Sequence, residues 1–245
     1  VAEIVQQPSP QAEPIARVTE ILGNYADPGM EIEIALRKHD LPTEFSNDSE
    51  KQAAKYGSKV LVKDLKGRKD LRDLPFVTID GETARDFDDA VCCQALAKGK
   101  GFRLWVAIAD ISHYVRPGDV LDRDSRDRGN SVYFPRRVIP MLPEALSNEL
   151  CSLKPEVDRL TMVCEMEVTP GGVVRTYAFY AAVIHSHARL TYTRVAAVLE
   201  GREAEPPIEA KLVPALEILY AAYKALLGAR AKRGAIDFDS VETQM

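Results

Sequence analysis

Apolar and polar positions alternate with a period of two through 160–169 and 173–186, and 76–79, 90–97 and 103–111 are rich in strand-forming residues, which predicts strands over each stretch. Lys98-Gly99-Lys100-Gly101 and Pro170-Gly171-Gly172 fall between successive runs and predict hairpin turns. Earlier, Pro8, Pro10 and Pro14 mark a turn between an opening strand and a second one around 15–22. Residues 30–42 alternate acidic and apolar positions and read as a connector or short helix. Helical sequence follows at 47–57, with Asn47, Asp48 or Ser49 as its cap and Gly57 as its stop, and at 117–128, with Pro117 near the start. Residues 190–201 read as a strand end and then a helix capped by Thr191 or Thr193. A long helix is predicted over 208–233, its stripe of Leu216, Leu219, Tyr220, Tyr223 and Leu227 assigned to the core. The charged segment 63–75 reads as a surface connector, and 235–245 as the beginning of a strand. Together these elements predict an α+β fold, a mixed sheet with flanking helices.

Between the first two predicted strands of the sheet lies VTIDGETARDFDDAV, which gathers Asp80, Asp86, Asp88 and Asp89. Carboxylates crowded together repel one another, so such a group is stable only if its members point apart into water or share cations. An acidic surface turn fits poorly, because Asp86 and Asp88 alternate around Phe87 and Asp89 runs directly into the apolar Ala90-Val91-Cys92-Cys93. A calcium loop of the EF-hand kind fails on the order of its acids and on the missing closing glutamate. Oxygen-only donors favour hard cations, Mg²⁺ or Mn²⁺. Asp110, at the end of the third strand of this region, is either a neighbour of the acids or a strand-end cap, and His113 reads as structural.

Composition changes this picture in two ways. With 46% hydrophobic and 28% charged residues the chain is of ordinary globular make-up. No apolar run approaches membrane-spanning length and no signal-peptide pattern opens the chain, so a cytoplasmic protein is expected. The net charge of −5 and pI near 5.5 argue against a nucleic-acid binder. A metal-dependent nuclease escapes that objection, because acids at its reaction centre hold cations and the basic residues need only line the path. Arg116, Arg123, Arg126, Arg128, Arg136 and Arg137 cluster downstream of the acids, interleaved with Asp119, Asp122, Asp124 and Asp127 as on a solvated helix. Tyr133 and Phe134 beside Arg136-Arg137 suit single-stranded RNA, with bases stacking on rings and guanidinium groups on phosphates; packing into the core is the competing use. Cys92, Cys93, Cys151 and Cys164 have no C-x-x-C spacing and read as buried thiols, Cys92 and Cys93 on opposite faces of one strand. His185 and His187 share a strand face without a third nitrogen or sulfur ligand and read as a polar edge.

TIDGETARDFDDA, followed in order by LWVAIADISHYV, SVYFPRRVIPMLPEALSNELCSL and HARLTY, resembles the catalytic (RNB) domain of the ribonuclease II/ribonuclease R family, its bacterial ribonuclease R branch in particular. The likeness runs from about residue 36 to the end in separated blocks. It implies a 3′-to-5′ exoribonuclease that hydrolyses single-stranded RNA to nucleoside 5′-monophosphates with two Mg²⁺ ions. Asp80, Asp86, Asp88 and Asp89 are then the metal-binding acids, Asp88 the most sensitive for chemistry. By the same resemblance Tyr133 clamps the 3′-terminal nucleotide, Arg136 and Arg137 are RNA contacts, and 138–153 forms part of the wall closing the active-site end of the channel. Residues 1–29 resemble the last strands of a cold-shock-type (OB) β-barrel, 30–75 a connector with one helix, and 76–245 the first portion of the RNB domain, so that the chain is expected to be a piece of a longer enzyme. The expected partner is single-stranded RNA, with no membrane and no protein partner identifiable. Two other readings stay open: a catalytically incomplete RNA- or protein-binding module, and a DNA-directed two-metal nuclease, distinguishable by the 2′-OH.

Overall fold

The computed structural model describes residues 1–134 and 137–236. Strands β1 (Ala2–Gln6) and β2 (Ile15–Val18) pair as a separate antiparallel ribbon, exposed throughout, and α1 (Met30–Lys38) and α2 (Asn47–Lys55) follow. The cap of α2 is Ser46, one residue before the predicted candidates, because its hydroxyl accepts the amide of Ser49 at 3.2 Å; Gly57, at φ +68°, lies just beyond the other end.

The remaining strands are β3 (Lys69–Asp70), β4 (Val77–Asp80), β5 (Asp89–Ala95), β6 (Phe102–Ala109), β7 (Val132–Phe134), β8 (Arg137–Ile139), β9 (Asp158–Val168), β10 (Val174–His185) and β11 (Ala188–Thr191). Helix α3 (Val120–Arg128) precedes β7; α4 (Tyr192–Leu199) and α5 (Val213–Lys232) follow β11. Seven strands form one mixed sheet in the order β11-β4-β5-β6-β9-β10-β3, parallel at β11/β4 and β10/β3 and antiparallel elsewhere. The predicted α+β architecture is therefore present. Alternation along β5 sends Cys92 into the cluster with Trp105, Ala107, Leu146 and Leu150, and Cys93 into the one beneath α5 with Leu104 and Ala222. Burial holds both thiols protonated, pushing Cys92 up to about 12 and Cys93 to about 11. No helix among the described residues is long and apolar enough to cross a membrane.

Three further expectations are corrected, and one falls outside the described residues. Helix α3 begins at Val120 rather than Pro117, because the Asp119 carboxylate caps it by accepting the Asp122 amide at 2.8 Å. On α5 the buried line is Leu216, Ala222 and Ala229, while Tyr220, Tyr223 and Leu227 are exposed, and the two tyrosine rings stack on each other. The expected strand over 235–245 lies outside the described residues from 237 onward.

The third correction concerns 63–75, which is anchored rather than draped over the surface. Leu65, Leu71 and Leu74 pack against the main core, and β3 forms the sheet edge. Arg68 is buried against Asp110 at 2.5 Å, their side chains 8% and 6% exposed. Asp110 is thus the strand-end anchor and not a member of the acid group. Burial would raise its carboxyl, but the Ser112 hydroxyl and the Arg68 guanidinium outweigh burial and hold it below 3.8. Because the folded value lies below the unfolded one, this stabilisation is present above about pH 4 and is lost as pH falls through the lower folded value. Asp110→Asn leaves Arg68 buried without its countercharge and should cost about 3–5 kcal/mol at neutral pH. Urea unfolding across pH is expected to show that loss together with a shallower acid decline than wild type; equal midpoints at neutral pH would rule the pair out as an anchor.

Candidate active site

Asp80 is the last residue of β4 and Asp89 the first of β5, so the sheet itself delivers two of the four acids to one end. Thr191 lies in register with Asp80 on β11, and Ile108 with Asp89 on β6. Between the strands, the loop over 81–88 has no regular structure and is held from two sides. On one side Phe87 is buried as a peg: its amide donates to the Ser152 hydroxyl at 3.0 Å and its carbonyl accepts the Leu153 amide at 2.8 Å. With Phe87 inward, the flanking Asp86 is left half-buried and Asp88 exposed. The Ala109 amide donates to the Asp88 carbonyl at 2.9 Å and fixes the loop's exit.

The other side is held by Arg189 of β11. Its Nη2 donates to the carbonyl of Glu82 at 2.7 Å, with Gly81 at 3.3 Å and Ala84 at 3.4 Å sharing the same nitrogen, and its guanidinium lies 5.3 Å from the Phe87 ring centre. Sequence reasoning quoted this residue within HARLTY but gave it no role. Ser152 was equally anonymous within 138–153. It follows a π-helical turn, Ala145–Leu150, and is braced by buried Arg159, which donates to the Ser152 carbonyl at 2.8 Å and the Glu149 carbonyl at 2.8 Å. Both residues act on backbone carbonyls or amides, and such contacts leave no spacing pattern in the sequence.

The electrostatics are those of crowded negative charge. Burial, then the charges of Asp89, Asp86 and Asp88, push Asp80 above 3.8, and Arg189 only partly opposes them. Asp88 keeps an open side to solvent, yet the protein crowded around it, followed by Asp86 and Asp89, pushes it up as well. Tyr133, 64% exposed, donates its hydroxyl to Asp86 Oδ2 at 3.1 Å; burial of that hydroxyl and the Asp86 charge raise its pKa. Tyr192, 61% exposed at the start of α4, is raised by burial and by Asp80 and Asp89. Two accessible rings therefore flank the acids, one on the Asp86–Asp88 side and one on the Asp80–Asp89 side. Only the first was singled out from sequence; Tyr192 follows a strand end at the start of a helix and lies far along the chain from the acids it flanks.

The basic candidates fare differently. Arg136 lies outside the described residues. Arg137 is bonded to Glu33 of α1. Arg128 is spent on the carbonyls of Pro42, Glu44 and Pro140 and stacks on Phe45, and Arg126 pairs with Asp122. His185 Nδ1 donates to the Asp158 carboxylate at 2.9 Å.

As to cations, the donors are all carboxylate oxygens and their mutual repulsion lacks a matching positive charge, which fits a hard divalent ion. Among the described residues, however, no three acidic, histidine or cysteine side chains form a closed cage for one ion. The acids are gathered rather than converged. An ion here would keep water and substrate oxygens in its coordination shell, as Mg²⁺ does where it bridges carboxylates to phosphates.

Comparison with known proteins follows the same lines. The RNB domain family matches residues 68–245 and the cold shock domain family matches residues 1–46. Ribonuclease R of Vibrio parahaemolyticus is 53% identical over 244 residues, covering 100% of this chain and 29% of that relative. The chain thus spans under a third of the length of that curated relative. Among solved structures, Mycoplasma genitalium RNase R in complex with double-stranded RNA superposes with a TM-score of 0.88 at 31% identity, covering 96% of this chain and 41% of the other. The same organism's RNase R in complex with ribose methylated single-stranded RNA gives a TM-score of 0.87 at 32% identity, covering 94% and 36%.

Proposed function

This chain belongs to the RNB-domain family, and from that membership we propose that it carries the reaction centre of a 3′-to-5′ exoribonuclease acting on single-stranded RNA, in the cytoplasm. The observation that carries the reading is the bond from Tyr133 to Asp86, which sets an accessible aromatic ring directly against the acid group. A ring in that place can stack on a terminal base while the acids lie beneath the last linkage. Stacking is indifferent to base identity, so removal of residues proceeds through any sequence.

Asp80, Asp86, Asp88 and Asp89 would hold divalent ions, Mg²⁺ with Mn²⁺ as a substitute. When bound, such ions supply an acidified water for attack and neutralise charge on the leaving oxygen. The protein's own part is geometric. Phe87 and Arg189 fix the loop, the strand ends fix Asp80 and Asp89, and Tyr133 limits which linkage reaches them. The product expected from this arrangement is a nucleoside 5′-monophosphate. Discrimination against DNA would rest on the 2′-OH.

The test is to incubate the chain with single-stranded RNA bearing a free 3′ end, with and without Mg²⁺, and to resolve products at single-nucleotide length. A Mg²⁺-dependent ladder of 5′-monophosphates is expected, and Tyr133→Ala should weaken use of short RNA by about 1–3 kcal/mol, the worth of one stacked base. A folded chain that binds RNA without cleaving it would instead make this polypeptide a binding module whose chemistry needs further sequence.

A further inference from the structure

Strands β7 and β8 form a ribbon of their own, joined by three residue pairs: Val132 with Ile139, Tyr133 with Val138 and Phe134 with Arg137. A two-stranded ribbon is marginal without outside support, so where it sits is set by its anchors. Its base is fixed, since Ser131 accepts the Met141 amide at 3.0 Å and Arg128 donates to the Pro140 carbonyl at 3.1 Å. Further out, the described residues make two attachments. Tyr133 and Arg137 belong to successive pairs, so their side chains leave opposite faces of the ribbon. One face is tied to Asp86 through Tyr133, and the other to Glu33 through Arg137.

Glu33 is itself shared. Its other carboxylate oxygen accepts from Arg37, one turn along α1, and Arg37 is gripped in turn by Glu20 through Nε at 3.2 Å and Nη2 at 2.7 Å. Charges alternate along Glu20, Arg37, Glu33 and Arg137, from the segment after β2 to the ribbon. Arg137 and Arg37 together hold the Glu33 carboxyl below its ordinary value, despite some opposing burial.

We propose that Glu33 is a positioning residue, which backs the β7–β8 ribbon against the acid group and couples the placement of Tyr133 to that of the N-terminal segment. The kinetic part of this proposal rests on the nuclease reading above; the mechanical part does not. An isolated exposed ion pair would be worth little, but a chain of four charges anchored at both ends is a network, which holds geometry better than its pairs do separately.

Hydrogen–deuterium exchange of the peptide spanning β7 and β8 tests the mechanical part without RNA. Glu33→Gln and Arg137→Gln should each speed exchange there by about 3–10-fold, and the double variant should exchange no faster than either single one, because coupled residues are not additive. The difference from wild type should shrink at high salt, where partly exposed charges are screened. Unchanged exchange in Glu33→Gln, or effects that multiply in the double variant, would overturn the coupling; Glu3→Gln, in the separate pair with Arg17, controls for loss of any surface charge. In RNA cleavage, Glu33→Gln should raise KM severalfold with kcat held, since the acids are untouched. A fall in kcat alone would contradict a positioning role. Absence of cleavage by the wild-type chain would count against the nuclease reading, and the exchange result would still decide the coupling.

Discussion

Asp88→Asn is expected to lower Mg²⁺-dependent cleavage by about three orders of magnitude or more, the rate equivalent of several kcal/mol of lost ion-borne charge stabilisation. RNA binding should stay near wild type. The reason lies in where Asp88 sits: its backbone is fixed by Ala109, its side chain turns outward beside Asp86, and burial with the charges of Asp86 and Asp89 raises its carboxyl. A carboxylate raised in the folded state destabilises that state when ionised. Without divalent ions Asp88→Asn should therefore be at least as stable as wild type, and should gain less thermal stability when Mg²⁺ is added. Melting curves with and without Mg²⁺ separate this from simple misfolding. A variant that cleaves normally would take Asp88 out of the site, and one that gains as much from Mg²⁺ as wild type does would take it out of the ion-binding set.

The second large effect is expected at Arg189. Removing its side chain in Arg189→Ala frees the carbonyls of Gly81, Glu82 and Ala84 and uncovers one face of Phe87. The loop would relax on the scale of an ångström, and displacement of that size costs about 100-fold in turnover. Global stability should fall by only about 1–3 kcal/mol, since few groups are left unsatisfied. Lysine should rescue poorly, because a single ammonium cannot reproduce a planar donor group that also stacks on a ring. Single-turnover cleavage across a Mg²⁺ titration distinguishes the causes: a displaced loop raises the Mg²⁺ needed for half-maximal rate, whereas a lost RNA contact raises the RNA concentration needed. An Arg189→Ala chain with unaltered turnover would show that Phe87 alone holds the loop.

Much of this site was legible because it rests on local pattern. The alternation of Asp86, Phe87 and Asp88, and the entry of Asp89 into an apolar strand, already argued that the acids lead into the core rather than into a solvated turn, and Phe87 between them is buried. Cys92 and Cys93 divided between two clusters for the same local reason. What escaped was contact across distance. Arg68 looked like one more surface charge until Asp110 was found against it. Tyr220, Tyr223 and Leu227 had helical spacing suitable for a core, yet the sheet takes the neighbouring line of Leu216, Ala222 and Ala229, whose small alanines allow close approach. Arg137 carried the charge expected of a phosphate contact, and its partner on α1 could not be read from the ribbon's own sequence.

The parallel pairing of β4 with β11 has a consequence for how the molecule is made. Arg189 reaches Gly81 across a sequence separation of 108 residues, while the antiparallel β5 and β6 follow within a short turn of each other. During synthesis the acids leave the ribosome early, on strands that can already pair, and wait for their brace until β11 has been made. Closing so long a loop costs entropy before any contact repays it. The acid group is therefore among the last parts of the described fold to set, and a nascent chain carries its aspartates in a loop not yet braced from both sides.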